Sequence, residues 1–135
     1  MSKSNASENA VLDNMYIGTA LPWNGNTNLW AALYTSDPGE AGSANTNEAA
    51  FGGYARVSVT RATGFSLSGN EISNAGTISF PECTSSTETI THCAFVTTAS
   101  GAGTILHSGA LSASRVVSAG ITLQFAAGTF TVQED

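Results

Sequence analysis

Two histidines, two cysteines and ten carboxylates are the side chains of this 135-residue sequence best suited to chemistry. A metal site would draw on Cys83, Cys93, His92 and His107. Zinc is ordinarily held by close ligand pairs such as C-x2-C, and the only close pair here is His92-Cys93. These two are neighbours in a run that reads as a strand, where successive side chains point to opposite faces. They should not share one ion, and no metal is expected. Cys83 and Cys93 would meet only if the chain doubled back through ECTSSTET. A reducing cytosol keeps such thiols free, and Cys93 reads better as a small buried hydrophobe.

Nucleophilic and acid–base catalysis find no pattern either. No G-x-S-x-G elbow occurs, and a lone histidine in a strand is ordinarily structural. Glycoside hydrolysis needs two carboxylates facing each other across a cleft, but the acids here fall mostly in turns and at the termini. The segments GEAGSAN and SGAG lack the strand–glycine–helix setting of a phosphate loop. Trp23, Trp30, Tyr16, Tyr34 and Tyr54 would suit a sugar-binding shelf. Trp30 and Tyr34 read instead as core residues of a strand, which leaves Trp23, in the loop PWNGN, as the candidate for an exposed contact. The sequence thus predicts no catalytic residue and no cofactor.

Charge narrows the partners. The formal net charge is −6, and charged residues are 10% of the chain, against about a quarter in an average domain. Lys3, Arg56, Arg61 and Arg115 are the only lysines and arginines. Nucleic-acid binding needs clustered cations that displace condensed counterions, so no nucleic acid is expected. A bilayer span takes about 20 mainly apolar residues, and no such run occurs. The start, MSKSNASENAVLD, lacks the apolar centre of a signal peptide, so the chain is expected to remain in the cytosol where it is made, off any membrane. The sequon Asn5-Ala6-Ser7 would then be a chance match.

The elements that position these residues are mostly strands. Residues 1–20 read as an N-terminal arm with one helix, and residues 21–135 as a single β-sandwich domain. In the arm, Asn5 and Glu8 are spaced like a capping box, Val11, Leu12, Met15 and Tyr16 recur on one helical face, and Gly18 supplies a stop. Residues 29–35, LWAALYT, form an apolar run suited to a strand buried on both faces. Residues 36–53 are a long loop rich in turn formers, and loops of that length often serve binding. Residues 54–61 alternate, with Ala55, Val57 and Val59 opposite Tyr54, Arg56 and Ser58. Shorter strands are predicted at 64–67 and 77–80, with SGNEISNAG as a turn between them. Residues 89–98 are the clearest long strand, placing Ile90, His92, Ala94 and Val96 on one face and Thr91, Cys93, Phe95 and Thr97 on the other. Strands at 104–111, 115–118, 121–125 and 129–133 follow, with Ile121, Leu123 and Phe125 facing inward. So many short strands separated by turn signals predict an all-β fold, an antiparallel β-sandwich of jelly-roll type with a short N-terminal helix.

The order of these motifs carries a resemblance. LWAALYTSDPG, FGGYARVSVTR, ISNAGTISFPECT, TITHCAFV, SGAGTILHSGALSASRVVSAGITLQFAAG and a final TFTV resemble a family of small phage structural proteins labelled tail fibre, decoration or head cement proteins. The resemblance spans residues 29–132 and rests most on LYTSDP, GYAR and AGITLQFAAG. Members often carry a tryptophan just before the ITH strand, where this chain has Thr87 and Glu88. The resemblance implies a virion structural protein and no enzyme. Its first reading is capsid decoration, in which the chain binds the major capsid protein and copies of itself on the virion's capsid surface after assembly in the host cytoplasm; a trimer would fit local three-fold positions, but the sequence leaves the oligomeric state open. A tail or tail-fibre component is the alternative, and a carbohydrate-binding module for host attachment a second one. The helix and the long loop have no evident core role, so partner contacts are expected through Leu12, Met15, Tyr16, Phe51 and Tyr54, the alternative for these residues being local packing on the domain.

Overall fold

The apolar run near residue 30 becomes the spine of the molecule. In the computed structural model, which describes residues 1–134, β2 (Asn28–Tyr34) has Ala31, Ala32, Leu33 and Tyr34 fully buried. A strand with no solvated face needs cover on both sides, and the rest of the fold supplies it. On its edges β2 pairs with β3 (Val57–Thr60) and with β7 (Glu88–Val96). Beyond β7 come β8 (Ile105–Val117) and β1 (Ser2–Lys3), giving an antiparallel five-stranded sheet in the order β1-β8-β7-β2-β3.

One face of that sheet is covered by two smaller antiparallel sheets. The first holds β4 (Phe65–Ser68), β5 (Glu71–Asn74) and β10 (Thr131–Gln133) in the order β10-β5-β4. The second pairs β6 (Ile78–Ser79) with β9 (Gln124–Phe125). Between the layers lies the main core, with Ala31, Leu33, Val59, Ile90, Cys93 and Phe95 from the large sheet meeting Ile78 and Val132 from the small ones and Leu123 and Phe130 from the residues that lead into β9 and β10. All six phenylalanines and Tyr54 join in one unbroken series of ring contacts, Phe51–Tyr54–Phe80–Phe125–Phe130–Phe95–Phe65. The protein is an all-β antiparallel sandwich with one short N-terminal helix, as the strand pattern predicts.

Several local expectations fail for identifiable reasons. The stretch read as a turn, SGNEISNAG, contains β5, which forms a hairpin with β4 around Gly69. Its apolar content is a single Ile72, and pairing on both edges holds it as a strand. The two strands expected at 104–111 and 115–118 are one continuous β8. In β7 the ladder register breaks between Ile90 and His92, so Ile90 joins the core face of Cys93 and Phe95 instead of the face of Ala94 and Val96. A register irregularity of this kind reverses the alternation. Ile121 was expected to point inward but is exposed, because β9 is reduced to Gln124–Phe125. Trp23, expected as an exposed contact, is buried. Its loop folds back on itself, with Arg61 Nη1 donating to the carbonyls of Trp23, Asn24 and Asn26.

The long loop is also part of the packing. Ala49 N–H donates to Leu33 O, Thr35 N–H donates to Asn47 O, and the Tyr34 hydroxyl donates to Ala44 O at 2.8 Å. These bonds draw the loop across the outer face of the large sheet, where Ala44 seals a second cluster of Ala32, Tyr34, Ala94, Val96 and Ile105. Phe51, expected as a partner contact, is 3% exposed and belongs to the main core, and Tyr54 is half-buried against it. The turn after Phe51 depends on glycine. Gly53 has φ of +88°, and a Cβ there would lie 2.8 Å from Glu82 O.

The N-terminal and C-terminal segments meet at the β1–β8 edge. Glu134 binds Lys3 Nζ at 2.8 Å and His107 Nε2 at 2.7 Å. Burial holds His107 below the usual histidine range, against the opposing pull of Glu134. Burial would raise Glu134, but the hydrogen bonds from Lys3 and His107 outweigh it and hold the carboxyl below its ordinary value. In both cases the unfolded chain binds protons more readily than the folded one, so stability falls as pH falls. The histidine contribution is lost as pH drops below about 6.5 and the carboxylate contribution below about 4.3. Thermal melts between pH 7.5 and pH 3.5 test this, the pH values being on the order of the two ordinary ranges. His107→Gln is expected to flatten the upper part of the profile and leave the acid limb. Glu134→Gln should flatten the acid limb and, by removing the charge that favours imidazolium, steepen the upper part.

Candidate interaction surface

The most concentrated group of ionisable side chains lies where the long loop crosses β2. Glu48 pairs with Tyr34 as an isolated bridge residue, which brings its carboxylate against Arg56. The contact is two-pronged, with Arg56 Nε to Oε2 at 2.6 Å and Nη2 to Oε1 at 2.8 Å. Tyr54 donates its hydroxyl to the same Oε2 at 2.8 Å and accepts from Leu33 N–H. The remaining arms of Arg56 reach Thr98 O, Thr98 Oγ1 and Gly101 O. Burial opposes the charge on Arg56, but Glu48 outweighs it and holds the guanidinium above its usual value. Burial and the nearby Glu48 push the Tyr54 and Tyr34 phenols far up. Every one of these groups is tied to backbone or to another member, so the cluster braces two loops against β2.

No cysteine or histidine side chain hydrogen-bonds to this cluster or to another of the four among the described residues. Cys83 and Cys93 are free buried thiols, and burial pushes Cys93 up to about 12, far from the thiolate needed for nucleophilic attack. His92 Nδ1 contacts the Thr91 hydroxyl, and His107 belongs to the Glu134 clamp.

What the structure leaves uncovered is one face of α1 (Asn5–Tyr16). Its N-cap is Ser4, which accepts from Ser7 N–H, and not Asn5 as the capping-box spacing suggested. Ser4 Oγ also donates to Ile105 O of β8, and Asn5 N–H donates to Glu40 O of the long loop. At Gly18, with φ of +86°, the helix stops as expected. The helix is anchored by its serine side: Ser7 is buried and Ala10 and Val11 are half-buried. Leu12, Met15, Tyr16 and the following Ile17 are 54%, 65%, 76% and 77% exposed. Positions 12, 15 and 16 lie together on one helical face, so the chain turns its apolar stripe to solvent. Three of the five expected contact residues (Leu12, Met15 and Tyr16) therefore form one patch, while Phe51 and Tyr54 sit inside the sandwich.

A second apolar surface was not legible in the sequence. A cavity of about 640 Å³ opens between the large sheet and the β10-β5-β4 sheet, lined by Leu29, Phe65, Leu67, Ile72, Phe95 and Val132 with Arg61 and His107 among its other walls. Leu67 at its side is 71% exposed. Its volume lies within the range of ligand pockets. These apolar residues, together with Leu106 of β8, come from six strands, β2, β4, β5, β7, β8 and β10, which is why no local pattern signals the cavity.

No helix among the described residues is long and apolar enough to cross a membrane. A family model described as Podophage GP4 fiber I protein gp80 matches residues 2–133, nearly the whole chain. No curated protein matches it.

Proposed function

The chain belongs to the podophage GP4 fiber I protein family, a phage virion structural family, and from that membership we propose that it is a structural component of the phage fibre, acting by packing alone. The family description favours this fibre reading over capsid decoration. The observation that carries the mechanical part is the exposed stripe of Leu12, Met15 and Tyr16, which a sandwich with its own complete core does not use. Large exposed apolar patches mark interaction sites, and here the patch sits on a helix fastened at its N-terminal end to the main sheet. Fibre or tail proteins and further copies of the chain are its partners in this reading. A sugar-binding role loses its principal residue, since Trp23 is buried.

Copy number separates the readings. Quantitative mass spectrometry of purified virions, scaled to the major capsid protein, is expected to give a count far below that of the capsid subunits. Antibody labelling should fall on fibres and not on shells. A count comparable to the capsid subunits would sink the fibre assignment and restore decoration.

A further inference from the structure

The apolar cleft and the apolar helix face have matching requirements. The cleft offers Leu29, Phe65, Leu67, Ile72, Phe95 and Val132, and no segment among the described residues fills it. The helix offers Leu12, Met15 and Tyr16 at the i, i+3, i+4 spacing by which amphipathic helices anchor in grooves. α1 carries Glu8 and Asp13 and no basic residue in its last turn, and Asp13 lies beside Leu12 and one turn from Ile17. At the cleft, Arg61 lines the wall and makes no ion pair among the described residues. The cleft is also lined by Glu134, whose carboxylate is already paired with Lys3 and His107, so the charge left for a partner to meet there is Arg61.

The two surfaces belong to different sides of the molecule. Asn5 ties α1 to Glu40, in the loop whose Ala44 covers the outer face of the large sheet. The cleft is lined by Leu29 and Phe95, and Phe95 belongs to the core on the inner face. A contact between helix and cleft therefore joins two copies.

We propose that the helix face of one copy inserts Leu12, Met15 and Tyr16 into the inter-sheet cleft of a second copy, with Asp13 turned toward Arg61. This rests on the reading of the helix face as a contact surface and names its partner. The contact is heterologous, since each copy uses its helix on one neighbour and its cleft on another. Contacts of that kind close into rings or continue as open rows, both of which suit a component repeated within a fibre.

Sedimentation across a concentration series tests the pairing with two surface variants, Tyr16→Glu and Leu67→Glu. Both residues are more than two-thirds exposed, so circular dichroism and melting temperature should match the parent. The parent is expected to self-associate with rising concentration. Each variant alone should weaken association by about tenfold or more, the effect of losing an anchor residue at an interface. An equimolar mixture should regain a complex that stops at two chains, because the helix of the Leu67→Glu copy still fits the cleft of the Tyr16→Glu copy. A parent that stays monomeric overturns the proposal. So does association that Tyr16→Glu abolishes and Leu67→Glu leaves intact, which would mean that helices pair with helices, and so does a mixture that fails to recover. If the mixture recovers while virion copy number equals that of the capsid, the fibre assignment fails and this contact stands.

Discussion

Glu48→Ala should destabilise the protein by about 3–5 kcal/mol, the range for stripping one partner from a buried ion pair. The size follows from what is left behind. Arg56 is 8% exposed and loses both carboxylate bonds, and arginine cannot shed its charge by deprotonation. Its bonds to Thr98 and Gly101 are with neutral oxygens and leave the charge uncompensated. Tyr54 loses its acceptor in the same step. Two loops are then released from β2, because Glu48 stands in one and the Arg56 bonds to Thr98 and Gly101 hold the other. Removing both charges should cost less than removing one: a Glu48→Leu, Arg56→Met double variant is expected to recover a large part of the loss, since no unpaired charge remains. Urea unfolding followed by tryptophan fluorescence measures all three. A loss below about 1 kcal/mol for Glu48→Ala, the value of an exposed pair, would mean that water reaches Arg56 and that the cluster is no brace.

Which parts of this molecule the sequence discloses depends on how local their causes are. β2 is legible because its apolar run leaves no other way to satisfy both faces, and β7 because its residues alternate over the length of a long strand. The helix and its glycine stop are legible from local spacing, as is the grouping of Leu12, Met15 and Tyr16. That this face points outward is not, because the direction is set by the bond of Ser4 to Ile105, 101 positions away, by that of Asn5 to Glu40, and by the burial of Ser7. The same distance effect hides β5, whose strand state comes from pairing with β4 and β10 and not from its own residues. It hides the role of residues 36–53, since turn-forming composition records only that the chain bends. Phe51 is the one available signal there, a large apolar residue in a loop of small and polar ones; Ala44 and Ala49 are buried too, but Ala41 and Ala50 are exposed, so composition does not tell them apart. The break at Ile90 in β7 is invisible because alternation is read along one strand, whereas the irregularity arises between β7 and β8.

Phe130→Ala is expected to cost about 3–5 kcal/mol, the usual range for deleting a buried phenylalanine ring, and to exceed the loss from Phe65→Ala. Phe130 is 2% exposed and stands 4.4 Å from the Phe95 ring and 5.2 Å from the Phe125 ring. Those two contacts join the region of β10 to β7 of the large sheet and to β9 of the smallest one. Phe65 closes the series with a single ring neighbour and is only partly buried. Asn74 adds to the difference. Its Oδ1 accepts from Phe130 N–H, and its Nδ2 donates to Gly76 O and Ala126 O, so one buried amide fixes the backbone that carries the ring. Phe130→Ala and Asn74→Ala should therefore be non-additive in a double-mutant cycle, which denaturant unfolding can measure. The functional consequence separates this position from the helix. Loosening Phe130 loosens the β10-β5-β4 sheet, and with it the cleft that Phe65, Leu67, Ile72 and Val132 line. Association should then fall together with stability, whereas Tyr16→Glu should remove association and leave the melting temperature in place. A Phe130→Ala protein that unfolds more easily yet associates as the parent does would show that the cleft is not where the second copy binds.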